Sequence, residues 1–71
     1  PDFLKKLEEK FPELTIKDKR LCAMLYLMMS TKEIASVTSL EIRSVESARI
    51  RLRKKMNVPP ATSLSDFLRS L

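Results

Sequence analysis

No glycine and no histidine occur among the 71 residues, and cysteine occurs once, at Cys22. Each absence excludes something. Without glycine, the tight hairpin turns on which β-rich folds rely are hard to build. Without histidine or a glycine-rich phosphate loop, and with its one cysteine on an apolar helix face, the chain lacks the usual equipment of an enzyme site. A single cysteine rules out an internal disulfide and leaves no partner for a cysteine-based zinc site. No metal or cofactor is expected. The lone thiol suits a reducing, cytoplasmic setting. The longest apolar stretch, Leu21 to Met29, is too short to span a bilayer. No signal-peptide pattern is present, and the chain opens at Pro1 rather than methionine, which reads as a piece of a longer protein.

What is present points to helices. Runs of Leu, Met, Lys, Glu and Arg lie between prolines 12 and 59, and 44% of the residues are apolar, enough for one small core. The expected class is all-α, a bundle of about five helices. The formal charge is +5, and residues 41–58 alone carry a net +4. Their centre reads Arg49-Ile50-Arg51-Leu52-Arg53-Lys54-Lys55. Such a concentration is the electrostatic footprint of a surface that meets phosphates. It is also what a solvated basic face would look like.

Local signals divide the chain. Phe3, Leu4, Leu7 and Phe11 recur at helical spacing, which predicts a helix over 2–10 closed by Pro12. Thr15 with Asp18 forms a capping-box pattern for a second helix reaching about Met29, with Met28 and Met29 as core filler. Ser30 with Glu33 caps a short third helix to about Val37. Residues 38–41 are a turn, and a fourth helix runs from about Ile42 to Met56, where Asn57 can supply a left-handed stop. Pro59-Pro60 breaks the chain. Ser63 with Asp66 then starts a last helix carrying Leu64, Phe67, Leu68 and Leu71, which should dock on this chain's core or on a second subunit and place Phe67 inside.

A short capped helix, a four-residue turn and a long basic helix make up a helix-turn-helix. At about 100° per residue, with Val45 facing the core, Leu52 and Met56 fall on the inner side. Arg43, Ser47, Ile50, Arg51 and Lys54 point outward, with Glu46 and Arg53 on one flank and Ser44 and Lys55 on the other. In a DNA major groove, Arg43 would suit guanine, Glu46 a cytosine amine, Ser47 several bases, and Ile50 a thymine methyl. Ile50 could equally be an unpaired surface residue or a contact for the first helix. Ser44, Arg51, Arg53, Lys54 and Lys55 would meet phosphates. So would Thr31 and Lys32, at a helix N-terminus that also has a simpler reading as a capped end. About six phosphate contacts are expected. Arg49, at the core edge, would lay its stem over the core and pair with Glu33 or Glu46.

At this point the residues resemble a known family. Leu14-Thr15, Ser30 through Ala35, Ser44-Val45-Glu46 and Lys55-Met56-Asn57-Val58 are similar to the LuxR (GerE) type helix-turn-helix, without a gap over residues 14–58. The resemblance implies a four-helix core whose third and fourth helices bind promoter DNA, usually as a homodimer. The family carries glycine at the positions of Met28, Ser39 and Asn57, lysine at Glu46 and histidine at Ala48. Residues 44–55 look like a narrower branch that ends large sensory regulators, some with propeller and three-tyrosine domains and one membrane span. Residues 1–13 would then be the end of a linker helix, 14–58 the DNA-binding domain, and 59–71 a helix packed on it. The implied function is that of a transcription regulator's cytoplasmic DNA-binding end, with no membrane contact by this segment. The competing reading is a sigma-like helical module that touches RNA polymerase and makes no sequence-specific DNA contact. A membrane-surface helix is disfavoured, because the outward face offers only Ile50 as a bulky apolar anchor.

Overall fold

The computed structural model describes residues 2–71; Pro1, on which the reading as a piece of a longer protein partly rests, lies outside them. The described residues form five helices and no strand: α1 (Phe3–Lys10), α2 (Ile16–Tyr26), α3 (Thr31–Thr38), α4 (Ile42–Met56) and α5 (Leu64–Arg69). The all-α class is therefore as expected. None of these helices is long and apolar enough to cross a membrane.

The starts are set by side-chain chemistry. Thr15 and Asp18 exchange hydrogen bonds with each other's backbone amides at 3.1 and 3.0 Å. Ser30 and Glu33 do the same at 3.1 and 2.7 Å. Each box satisfies amides that the first turn of a helix leaves without partners. At α5 only half of the pattern forms: the Ser63 hydroxyl accepts from the Asp66 amide, without the return bond.

The ends of α2, α3 and α4 share one device. Each is followed by a residue with positive φ, at Met28, Ser39 and Asn57, the only such positions among the described residues. Just beyond, the amides of Met29, Leu40 and Val58 donate back five residues to the carbonyls of Met24, Ala35 and Arg53. This is the closing bond of a Schellman motif, which normally employs glycine. Helix α2 thus stops at Tyr26, three residues short of the expected Met29, because the chain turns left-handed at Met28. Met28 is not core filler either, being 62% exposed. A left-handed residue with a Cβ costs roughly 1–2 kcal/mol, and asparagine bears it better than methionine. Met28→Gly should therefore stabilise the fold by about 1 kcal/mol, raising the melting midpoint by roughly 4–8 °C. A lowered midpoint would show that the Met28 side chain contributes more than its conformation costs.

The core is continuous through all five helices. Leu7 from α1, Leu21, Cys22 and Leu25 from α2, Ile34 and Ala35 from α3, Val45, Leu52 and Met56 from α4, and Leu64 and Leu68 from α5 are buried together, with Leu14 and Val58. Helix α5 packs on α2, α3 on α4, and α1 on α2. Helix α1 is thus more than the end of a linker. Its Leu7 is wholly buried, Phe3 stacks on Tyr26 at 4.1 Å between ring centres, and Glu8 pairs with Lys19 at 2.8 Å. The Lys19 hydrogen bond and charge hold the Glu8 carboxyl below its ordinary value. Helix α5 docks on this chain's own core, as one of the two expectations had it, but Phe67 is only half-buried, tilted against Phe11 at 6.2 Å. Leu64 and Leu68 take the interior. Burial pushes the Cys22 thiol up to about 12, with the nearby Asp18 charge adding to the shift, so the thiol stays protonated at neutral pH.

Candidate nucleic-acid interface

Helices α3 and α4 are joined through Ser39, Leu40 and Glu41, and Ile34, Ala35 and Val45 bury the junction. With Val45, Leu52 and Met56 held in the core, the rotation of α4 about its axis is determined. The opposite side of α4 faces solvent. Arg43, Glu46, Ser47 and Ile50, expected at bases, are all exposed, as are Ser44, Arg51 and Lys54, expected at phosphates. Lys32, in the first turn of α3, is exposed as well. Among the described residues, Arg43, Arg51, Lys54 and Lys32 make neither an ion pair nor a side-chain hydrogen bond. Four cations thus stand free on the helix-turn-helix.

Three other predicted phosphate contacts are engaged within the molecule. The Arg53 guanidinium, half-buried, donates to the carbonyls of Thr62 at 2.9 Å and Pro59 at 3.0 Å. It ties the proline break back to α4, adding to the hydrogen bond that the Pro59 carbonyl already accepts from the Thr62 amide at 3.0 Å. Arg53, expected at phosphate, is therefore not among the free cations of α4. Lys55 pairs with Asp18 at 2.6 Å, joining α4 to the capped start of α2. Thr31 is half-buried and accepts a hydrogen bond from Arg49 at 3.1 Å. Arg49 is structural, as its phase implied, but its partner is this hydroxyl and neither Glu33 nor Glu46. The bond spans from the start of α3 to the middle of α4 and braces the two helices.

Asp18 sits at a junction of two roles. Burial alone would raise its carboxyl, but the Lys55 ammonium and the Thr15 amide and hydroxyl bond the charged form, and the net effect is a lowered pKa. A carboxyl lowered in the folded state stabilises above its unfolded pKa, and that contribution disappears as pH falls through the folded value. In Lys55→Ala the Asp18 carboxyl should titrate at higher pH than in the parent chain, as read by side-chain carboxyl NMR. An unchanged midpoint would mean that the pair is not formed in solution.

Several apolar residues of the helix-turn-helix that the sequence did not mark as exposed face solvent, Val37, Leu40 and Ile42 among them. Ile42, the first residue of α4, lies only about 60° from the core meridian by helical phase, yet it is 43% exposed and outside the core cluster. Its phase resembled a core position. The signal available was its place at the tip of the helix, where the turn leaves no neighbour to cover it.

Neither a family model, nor a curated protein, nor a solved structure matches this chain.

Proposed function

We propose that this chain binds double-stranded DNA in a sequence-specific manner, as the DNA-binding end of a bacterial transcription regulator, with α4 in the major groove. The observation that carries the reading is the set of three unpaired cations on a helix whose opposite face is locked into the core, with a fourth, Lys32, in the first turn of α3. A major groove admits one α-helix, and its phosphates lie along the flanks. Arg43, Glu46, Ser47 and Ile50 would face the bases, while Lys32, Ser44, Arg51 and Lys54 would meet the backbone.

The three left-handed positions, Met28, Ser39 and Asn57, also support the LuxR-type resemblance. They are the positions where that family carries glycine, the residue that left-handed backbone favours. In the longer regulator this reading implies a homodimer on promoter DNA, since one module of this size makes few contacts.

The test is the salt dependence of binding to duplex DNA. With Arg53 and Lys55 engaged internally, three charged phosphate contacts remain, at Lys32, Arg51 and Lys54, so log K should fall with log[salt] at a slope of about −2.7. Between 50 and 200 mM salt that is a loss of roughly 40-fold. Absence of binding at micromolar protein in low salt, or affinity indifferent to salt, would reject the proposal.

A further inference from the structure

The outer face of α2 carries a pattern that a single chain leaves unused. Ile16, Arg20, Ala23 and Leu27 follow one another in steps of four, three and four residues. By helical phase they fall within about 60° of one another, opposite the buried Leu21, Cys22 and Leu25. Ile16 and Leu27 are each 69% exposed, Arg20 is exposed, and Ala23 is half-buried. Leu27 directly follows the helix, its amide still bonded to the Ala23 carbonyl. Leu4 of α1, itself exposed, lines the same cleft as Ile16, Arg20 and Ala23. Among the described residues, the Arg20 guanidinium has neither an ion-pair nor a hydrogen-bond partner. Single exposed apolar residues are common on any protein and need no explanation. Alternating steps of four and three are a different observation, because they are the spacing of a seam along which one helix packs on another.

We propose that this seam is a self-association surface, covered by α2 of a second copy running antiparallel. Size and charge both select that occupant. About a two-fold axis, Ile16 meets Leu27 of the second copy and Arg20 meets its Ala23. The two bulky apolar residues then cover each other, and the alanine leaves room for the arginine stem. Lys17, Lys19 and Arg20 stand in the first half of α2, whereas its last turn holds no basic residue. An antiparallel copy sets these cations against the end of the other helix, where the macrodipole is negative. A parallel copy would set like charge against like. Two large apolar side chains and an alanine from each copy fall well short of the roughly 800 Å² per partner that a stable complex buries. The dimer is therefore weak, and at the micromolar concentrations of a thermal melt the chain is a monomer. No residue of the seam belongs to α3 or α4, so pairing and DNA binding use different residues, and either can exist without the other.

The test is made without DNA, by amide NMR spectra and sedimentation equilibrium of the chain from micromolar to millimolar concentration. The amides of Ile16, Arg20, Ala23 and Leu27 should shift as concentration rises, and the mass should move toward that of a dimer. The amides on the exposed face of α4 should stay in place. Ile16→Ser combined with Leu27→Ser should remove both responses, with a melting midpoint close to the parent's because both side chains are exposed. Arg20→Leu completes the apolar seam and should tighten association at least about tenfold, since each copy then buries one more leucine. Ala23→Arg sets arginine against Arg20 of the second copy and should abolish association. A chain that stays monomeric at millimolar concentration overturns the inference. So does a dimer that survives the double serine variant or is no tighter in Arg20→Leu. Neither result bears on the salt slope of duplex binding, which decides the DNA-binding reading separately.

Discussion

Replacing Leu68 by alanine should lower the stability of the folded chain by about 2–5 kcal/mol. A domain of this size holds only a few kilocalories in reserve, so much of the population would unfold near room temperature. Leu68 has no exposed surface, and it lies on a helix of only six residues, too short to persist without tertiary packing. Losing its side chain opens a cavity where α5 meets α2 and removes most of what holds the helix down. Phe67→Ala should cost clearly less, because Phe67 is half-buried and its ring meets Phe11 at the rim. Thermal melts at several protein concentrations provide the check. The wild-type midpoint should not move with concentration, since α5 docks within its own chain. A Leu68→Ala midpoint within about 2 °C of wild type would contradict the packing of α5, given roughly 4–8 °C per kcal/mol at this size.

The second large effect separates residues that lie side by side. Arg51→Ala combined with Lys54→Ala should flatten the salt slope by about two and weaken binding to all duplexes alike, because phosphate contacts position a protein without reading sequence. Arg53→Ala should leave the slope nearly unchanged and lower stability instead. Its guanidinium bridges two carbonyls of the Pro59–Thr62 break, and charge-assisted bonds of this kind are each worth about 1.5–3 kcal/mol. Lys55→Ala should resemble Arg53→Ala in sign and be smaller, because the Asp18 pair lies near the surface. Fluorescence titrations at four salt concentrations, with melts of the same variants, give both readouts. If Arg53→Ala changes the slope as much as Arg51→Ala, the division into free and engaged cations is wrong.

That division was out of reach in the amino-acid string. Helical phase sorts residues by angle about one axis, and by angle Arg53 and Lys55 lie on the flanks of α4 much as Glu46 and Ser44 do. Whether a flank meets solvent depends on what else the chain brings there. The proline break passes one flank of α4 and the start of α2 passes the other, and each supplies an oxygen to a cation. Exposure of Ile42 was hidden for the same reason: its angle is near the core side, but no element covers the helix tip.

Local chemistry, by contrast, was readable residue by residue. The capping boxes at Thr15 and Ser30, the left-handed stop at Asn57 and the start of α5 at Ser63 involve partners within five residues, so nothing distant was needed to predict them. The period of Val45, Leu52 and Met56 likewise determined which side of α4 turns inward, because burying apolar area on one face leaves a single rotation available. Only the tertiary structure decided that α1 belongs to the bundle, that Leu64 and Leu68 rather than Phe67 fill the last gap, and that Arg43, Arg51, Lys54 and Lys32 are the cations of α3 and α4 left free. Those outcomes rest on contacts between segments far apart in sequence, and such contacts depend on how the helices stack once each has formed.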